Sequence, residues 1–177
     1  MPGAGKTVVT RILSSIADKV VSMGDIVREE ARRRGIGKDS ASMMKFAKQL
    51  RIEGGGAVVA KLVLEKLRND KGLFLIDGIR SLDEIELFRR YGQVVIVAVH
   101  ASPYERFRRL RNRGRPGDPK VWEEFVERDL EELRLGIGNV IALADVMVVN
   151  EGVNLNNLSQ EIIEKVRVAL SHDKDKG

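Results

Sequence analysis

Met1-Pro2-Gly3-Ala4-Gly5-Lys6-Thr7 is the stretch that decides the fold. It matches the last seven positions of the pattern G-x-x-x-x-G-K-[ST], and the chemistry explains the residue types. Backbone N–H groups of a glycine-rich turn at a helix N-terminus cradle phosphate oxygens. Lys6 is placed to reach the outer phosphates, and the Thr7 hydroxyl to bind Mg²⁺. The bland alternative is a glycine-rich turn that merely precedes a helix. The first Gly of the pattern would fall one residue before Met1, and the central strand that leads into such a loop is not in the chain. A misplaced or truncated start is the favoured expectation, the alternative being a domain that begins at Met1 with an open slot in its sheet.

Outward from the loop, short apolar runs alternate with helical stretches. Lys6 to Ala17 carries Val8, Val9, Ile12, Leu13 and Ile16 at helical spacing. Lys19 to Met23 predicts a strand, and Asp25 to about Arg34 a helix that Gly35-Ile36-Gly37 breaks. Two helices follow, about Ser42 to Arg51 and Ala57 to Arg68, divided by Gly54-Gly55-Gly56. Leu73 to Asp77, Val94 to Val99 and Val146 to Val149 are continuous apolar runs, the signature of parallel strands covered on both faces. Ser81-Leu-Asp-Glu84 and Ser102-Pro-Tyr-Glu105 read as capping boxes, the second with Pro at the first helical position. Asp118-Pro119 is expected to open a helix to Leu135, and Leu155 to Leu170 forms the last. Strands interleaved with helices predict an α/β fold with a parallel sheet. Residues 1–170 read as one domain, with a disordered tail over 171–177.

Four further segments carry chemistry. Asp25 and Arg28 lie three apart at a helix start and share one face, where they could grip an acceptor and its phosphate. The plainer reading is an N-cap and a surface charge. Asp77 ends an apolar strand, at the edge where open parallel sheets bind ligands, followed by Gly78 and Arg80. That position suits the Mg²⁺ shell for Asp77 and the acceptor for Arg80. Six arginines from Arg106 to Arg115 precede a Gly/Pro/Asp turn, as a lid closing over polyphosphate requires. Arg106, Arg109 and Arg113 form the inward set at helical spacing, Arg128 joins from the next helix, and RNA binding competes for the cluster. Asn150 ends the last strand in a polar turn able to bracket a purine base, although an ordinary loop is the default.

Bulk composition narrows the classes. The 177-residue chain has a net charge of +5, which suits anionic partners, and 5% aromatic residues, too few for base-stacking platforms. With no Cys it has no disulfide framework, thiolate metal site or cysteine nucleophile. No apolar run reaches the ~20 residues of a membrane span. A cytoplasmic location, and a monomer or weak homodimer, are expected. Trp122 is expected in helix packing rather than base stacking.

PGAGKT, SMGDIVR, DGIRS, HASPYERFRRLRNRGR, ELRLGIGNVIALAD and VVNEG together resemble the nucleoside monophosphate kinase and dephospho-CoA kinase group, and most of all an uncharacterised archaeal family of P-loop kinase-like proteins. The resemblance covers roughly Met1 to Leu170. It implies a five-stranded parallel sheet with flanking helices and a short lid, the first strand being the one missing. It implies ATP phosphates and Mg²⁺ at Gly3, Ala4, Gly5, Lys6 and Thr7, and an acceptor site at Asp25, Arg28, Gly78 and Arg80 on helices spanning about 25–70. Asp77 stands between acceptor and metal, and Arg109, Arg113 and Arg128 belong to a lid over about 106–130. Asn150 is implied beside adenine. The segment Asp77-Gly-Ile-Arg80 lacks the Pro usual in adenylate kinases, and the lid is short, which argues against that enzyme. Transfer of the ATP γ-phosphoryl to a small nucleotide-like acceptor is the leading expectation. A nucleotide-binding regulator or slow NTPase is the second, and an RNA-associated protein the third.

Overall fold

A computed structural model describes residues 1–37, 40–152, 154–155 and 157–172. The chain is α/β, with four parallel strands and nine helices among the described residues. It divides into two compact units: Met1–Ile16 with the described chain from Gln93 onward, and Ala17–Gly92.

The first unit begins with α1 (Lys6–Leu13) and continues with β3 (Val97–His100), α6 (Pro103–Arg113), α7 (Trp122–Arg134), α8 (Ile137–Ala142), β4 (Val146–Val149) and α9 (Ser159–His172). β3 and β4 pair in parallel from Val97↔Val146 to His100↔Val149. Just before the ladder, Asp145 takes the Ile96 N–H on its carboxylate at 2.7 Å and returns its own N–H to the Ile96 carbonyl at 2.9 Å. α9 packs on α1 and β4, burying Ile162, Ile163 and Val166 with Val9, Ile12 and Leu13.

The second unit comprises β1 (Lys19–Ser22), α2 (Met23–Arg33), α3 (Ser40–Gly54), α4 (Val58–Leu67), β2 (Phe74–Asp77) and α5 (Leu82–Arg89). β1 and β2 pair in parallel from Lys19↔Phe74 to Ser22↔Asp77. Asp18 opens this ladder with the same device, accepting from Leu73 N–H at 2.7 Å and donating to its carbonyl at 2.8 Å. α4 is the hub of this core: it packs on α2, α3 and α5, and Val59, Ala60 and Val63 are fully buried.

Several boundaries move for local reasons. α1 stops at Leu13, four residues short of Ala17, because the Ser14 and Ser15 hydroxyls turn back onto the carbonyls of Arg11 and Ile12. Ser22, not Asp25, caps α2, with its hydroxyl accepting from Asp25 N–H. The capping box at Ser81 forms as expected, Glu84 accepting from the N–H groups of Arg80 and Ser81. The one at Ser102 does not: its side chain makes no cap bond, and Glu105 turns to Arg108 at 2.7 Å. Asp118 does not open α7, which starts at Trp122 because the Asp118 carboxylate is held by arginines. α9 runs through Ser171 and His172, where a disordered tail was expected. Residues 173–177 lie outside the described residues. The strands pair two by two, where one five-stranded sheet was expected.

Candidate functional site

In the first unit, residues 1–5 form a tight turn closed by a hydrogen bond from Ala4 N–H to the Met1 carbonyl. Gly3 has φ 80° and Gly5 φ 98°, both in the left-handed region. Space reinforces the requirement. A Cβ on Gly3 would lie 2.7 Å from the Arg106 carbonyl oxygen, and one on Gly5 would lie 2.1 Å from Asn150 Nδ2. Gly5 leads directly into α1 without a side-chain cap, the arrangement in which a helix N-terminus receives an anion. Lys6 and Thr7 open that helix and are exposed.

Two buried polar side chains hold the turn. Asn150, at the end of β4, donates from Nδ2 to the Ala4 carbonyl at 2.9 Å. Its side-chain amide is thus directed at the loop. Arg106 is 4% exposed, and its Nη1 reaches the Pro2 carbonyl at 3.3 Å. Its guanidinium forks onto the Asp129 carboxylate, 2.7 Å on the Nη1 side, and lies 4.9 Å from the Phe125 ring centre. Arg106 therefore joins α6, α7 and the loop as a structural element.

The inward arginine set expected of a lid thus separates into three. Arg106 belongs to Asp129. Arg109 donates from Nη2 to the Asn150 carbonyl at 2.8 Å, while its buried Nη1 has no hydrogen-bond partner among the described residues. A buried unsatisfied donor is rare and asks for an explanation. Arg113 and Arg128 converge on Asp118, which accepts from Arg113 Nε at 2.8 Å, Arg115 N–H at 3.0 Å and Arg128 Nη1 at 3.3 Å. The Arg113 hydrogen bonds, ahead of any other influence, pull the Asp118 carboxyl down to about 2.

In the second unit, the remaining candidates gather at the carboxyl ends of β1 and β2, where Ser22 stands opposite Asp77. Asp25 and Arg28 are exposed and ion-paired at 2.6 Å across the first two turns of α2. The Arg28 hydrogen bonds hold the Asp25 carboxyl below its ordinary value. Gly78 lies against Met23 and Gly24, and Arg80 donates to its carbonyl at 3.2 Å. Glu84, fully buried, fixes this turn by accepting from Arg80 N–H at 2.8 Å, with Arg51 at 3.5 Å. Burial pushes the Glu84 carboxyl upward against those favourable contacts. Of the residues that shape these sites, Asp118, Asp129 and Glu84 escaped the motif reading. Glu84 and Asp118 were legible only as helix-start residues, and Asp129 carried no sequence signal.

Mg²⁺ takes oxygen ligands, keeps several waters and is usually completed by substrate phosphates. A threonine hydroxyl at the loop is a donor of that kind. Among the described residues no cluster of three or more His, Asp or Glu could hold a metal by itself. A single loop hydroxyl fits an ion whose other ligands are nucleotide phosphates and water.

Also among the described residues, no helix is long and apolar enough to cross a membrane.

Residues 1–126 match the family described as AAA domain, a stretch running from the loop through α6 into α7. The chain is 56% identical over 152 residues to the UPF0200 protein of Hyperthermus butylicus, covering 85% of this chain and 82% of that one. It is 44% identical to the UPF0200 protein of Thermococcus onnurineus, over 94% of each chain. With the UPF0200 protein of Methanocaldococcus jannaschii it shares 43% identity over 94% of this chain and 89% of the relative. The glycine geometry of the loop and these likenesses agree: the chain belongs to the AAA-domain P-loop family, whose loop implies nucleotide binding, and within it to the archaeal UPF0200 proteins.

Proposed function

We propose that this protein is an ATP-dependent kinase that transfers the γ-phosphoryl group to a small nucleotide-like acceptor bearing a phosphate. The observation that carries the reading is the second cluster. Asp25, Arg28, Asp77, Gly78 and Arg80 gather at the carboxyl ends of a parallel strand pair, a place where α/β proteins bind ligands. A protein that only hydrolysed ATP would not need a second anion-receptive cluster in addition to its phosphate loop.

In this reaction the bond between the γ-phosphorus and the bridging oxygen breaks, a bond to the acceptor oxygen forms, and ADP leaves. Catalysis of this kind is mostly positioning and charge neutralisation. The loop N–H groups and Lys6 would hold the phosphates, and Thr7 would be a ligand for Mg²⁺, which would supply further neutralisation. Arg109, whose buried Nη1 is an unused donor, is the lid candidate with a guanidinium nitrogen to spare. Arg113 and Arg128 would have to exchange Asp118 for phosphate to act as lid residues.

The state of Asp25 supports a phosphate acceptor. A hydroxyl acceptor needs a base, and a carboxylate held below its ordinary pKa by an arginine is a poor one. A phosphate acceptor is already ionised near neutral pH, and the Asp25–Arg28 pair is then a binding element. The test is Mg²⁺-dependent ADP production over a panel of nucleoside monophosphates, dephospho-CoA and a no-acceptor blank, with Lys6→Ala as control. Stimulation by a monophosphate that the control loses and Asp25→Asn largely keeps supports the reading. Equal ADP release with and without every acceptor refutes it and leaves a slow NTPase.

A further inference from the structure

In the second unit, Glu84 is a charged side chain with no exposed surface, and the kinase reading gives it no task. The acid of a capping box ordinarily bonds the N–H of the N-cap residue at a helix start, and a glutamate is almost never fully buried unless it is paired. Glu84 departs from the usual pattern in where its bonds go. Its Oε2 accepts from the N-cap residue Ser81 at 3.3 Å, but the shorter bond, 2.8 Å, goes one residue further back to Arg80 N–H. Its Oε1 faces a different helix, with Nη2 of Arg51 on α3 at 3.5 Å.

These bonds belong to a continuous chain. Arg51 is 15% exposed and is steadied by its own helix, donating from Nη1 to the Ala47 carbonyl at 3.1 Å. Glu84 carries the contact to the backbone of Arg80, and Arg80 Nη1 returns to the Gly78 carbonyl at 3.2 Å. Capping does not account for the charge in the middle of this chain. A neutral glutamine would offer Arg80 and Ser81 the same acceptor without the cost of burying a carboxylate, which is high unless the group is paired. Burial does push the Glu84 carboxyl upward; the Arg80 N–H opposes it, and Arg51 is the foremost charge that does so. The carboxylate is therefore stable in place only while α3 holds Arg51 against it.

We propose that Glu84 is a positioning residue for Arg80, and that the Arg51–Glu84 pair lets α3 set the placement of the turn Gly78–Ser81. The inference rests on the reading of Arg80 as an acceptor-binding residue and adds to it a control from outside the cluster, since α3 contributes no residue to that cluster. None of the contacts in the chain includes a residue of the phosphate loop, so its loss weakens acceptor binding and spares ATP.

The two carboxylate oxygens allow capping and coupling to be separated. Glu84→Gln keeps an oxygen for the N–H groups of Arg80 and Ser81 and turns an amide NH₂ toward Arg51, preserving the cap and breaking the link. Arg51→Met breaks the link from the other side, and Arg51→Lys keeps a cation there. With the nucleoside monophosphate that most stimulates ADP production, both link-breaking variants should raise the acceptor KM about tenfold, leaving kcat and the KM for ATP nearly unchanged. The double variant should be no worse than either single one, as expected of residues acting through one contact, and Arg51→Lys should recover most of the loss. Independently of turnover, amide exchange at Arg80 and Ser81 should quicken roughly fivefold in Glu84→Gln and Arg51→Met, with exchange in β2 unchanged. An unchanged acceptor KM, additive losses in the double variant, or unaltered exchange at Arg80 and Ser81 overturns the inference. If no acceptor stimulates turnover, the kinase reading falls, and the exchange comparison alone decides whether Arg51 and Glu84 position the turn.

Discussion

Asp118 joins the end of α6 to the start of α7, and its removal has a calculable consequence. Its carboxylate is 4% exposed and accepts hydrogen bonds from Arg113, Arg115 and Arg128. They lower its pKa from 3.8 to about 2, a shift whose full free-energy equivalent is about 2.4 kcal/mol. Arg113 is 38% exposed, so solvent screens part of that, and roughly 1–2 kcal/mol is the expected net. The sign follows from the direction. A carboxyl depressed in the folded state contributes fully above its ordinary value and loses that contribution as pH falls from 3.8 through about 2. Asp118→Asn should therefore be less stable than the parent at pH 7 by roughly 1–2 kcal/mol, or a few degrees in melting temperature. The gap should close as pH approaches 2. Urea unfolding followed by fluorescence of Trp122, the only tryptophan, reports on the adjacent helix. A gap of the same size at pH 7 and pH 2.5, or none at pH 7, would refute the assigned role.

Three further outcomes are expected. Gly5→Ala puts a Cβ into Asn150 and forces a left-handed backbone on a non-glycine residue. Stability should fall by about 2–4 kcal/mol and ATP affinity collapse, read by melting and calorimetry. Arg106→Ala leaves the Asp129 carboxylate, 15% exposed, without its partner, and should cost about 3–5 kcal/mol in denaturant unfolding. Arg28→Ala should let the Asp25 carboxyl rise toward its ordinary value, seen in an NMR titration, with little change in stability because the pair is exposed.

The elements of this fold were largely legible because each carries a local signal. Short apolar runs located β1, β2 and β4, and Ser81 with Glu84 marked the start of α5. What the chain concealed depends on partners distant in sequence. No rule about single residues could show that Asp18 and Asp145 each open a parallel ladder by clamping another strand's backbone. The same holds for the arginines. Their helical spacing is plain, but Arg106, Arg109 and Arg113 answer to Asp129, Asn150 and Asp118, and those assignments exist only after folding. At the loop, the glycines were legible as a motif, whereas the need for them in space came from Arg106 and Asn150.

The amide of Asn150 bridges 146 positions of sequence with one hydrogen bond. It makes the phosphate loop and the closing strand a single mechanical element: displacement of Ala4 pulls on the end of β4, and through it on α9, which packs against that strand. A nucleotide that stiffens the loop should therefore slow amide exchange at the far end of the chain, in Val146–Val149 and the facing turns of α9, well outside its own contact radius. Removing the amide should uncouple the two, confining ligand protection to the loop and α1.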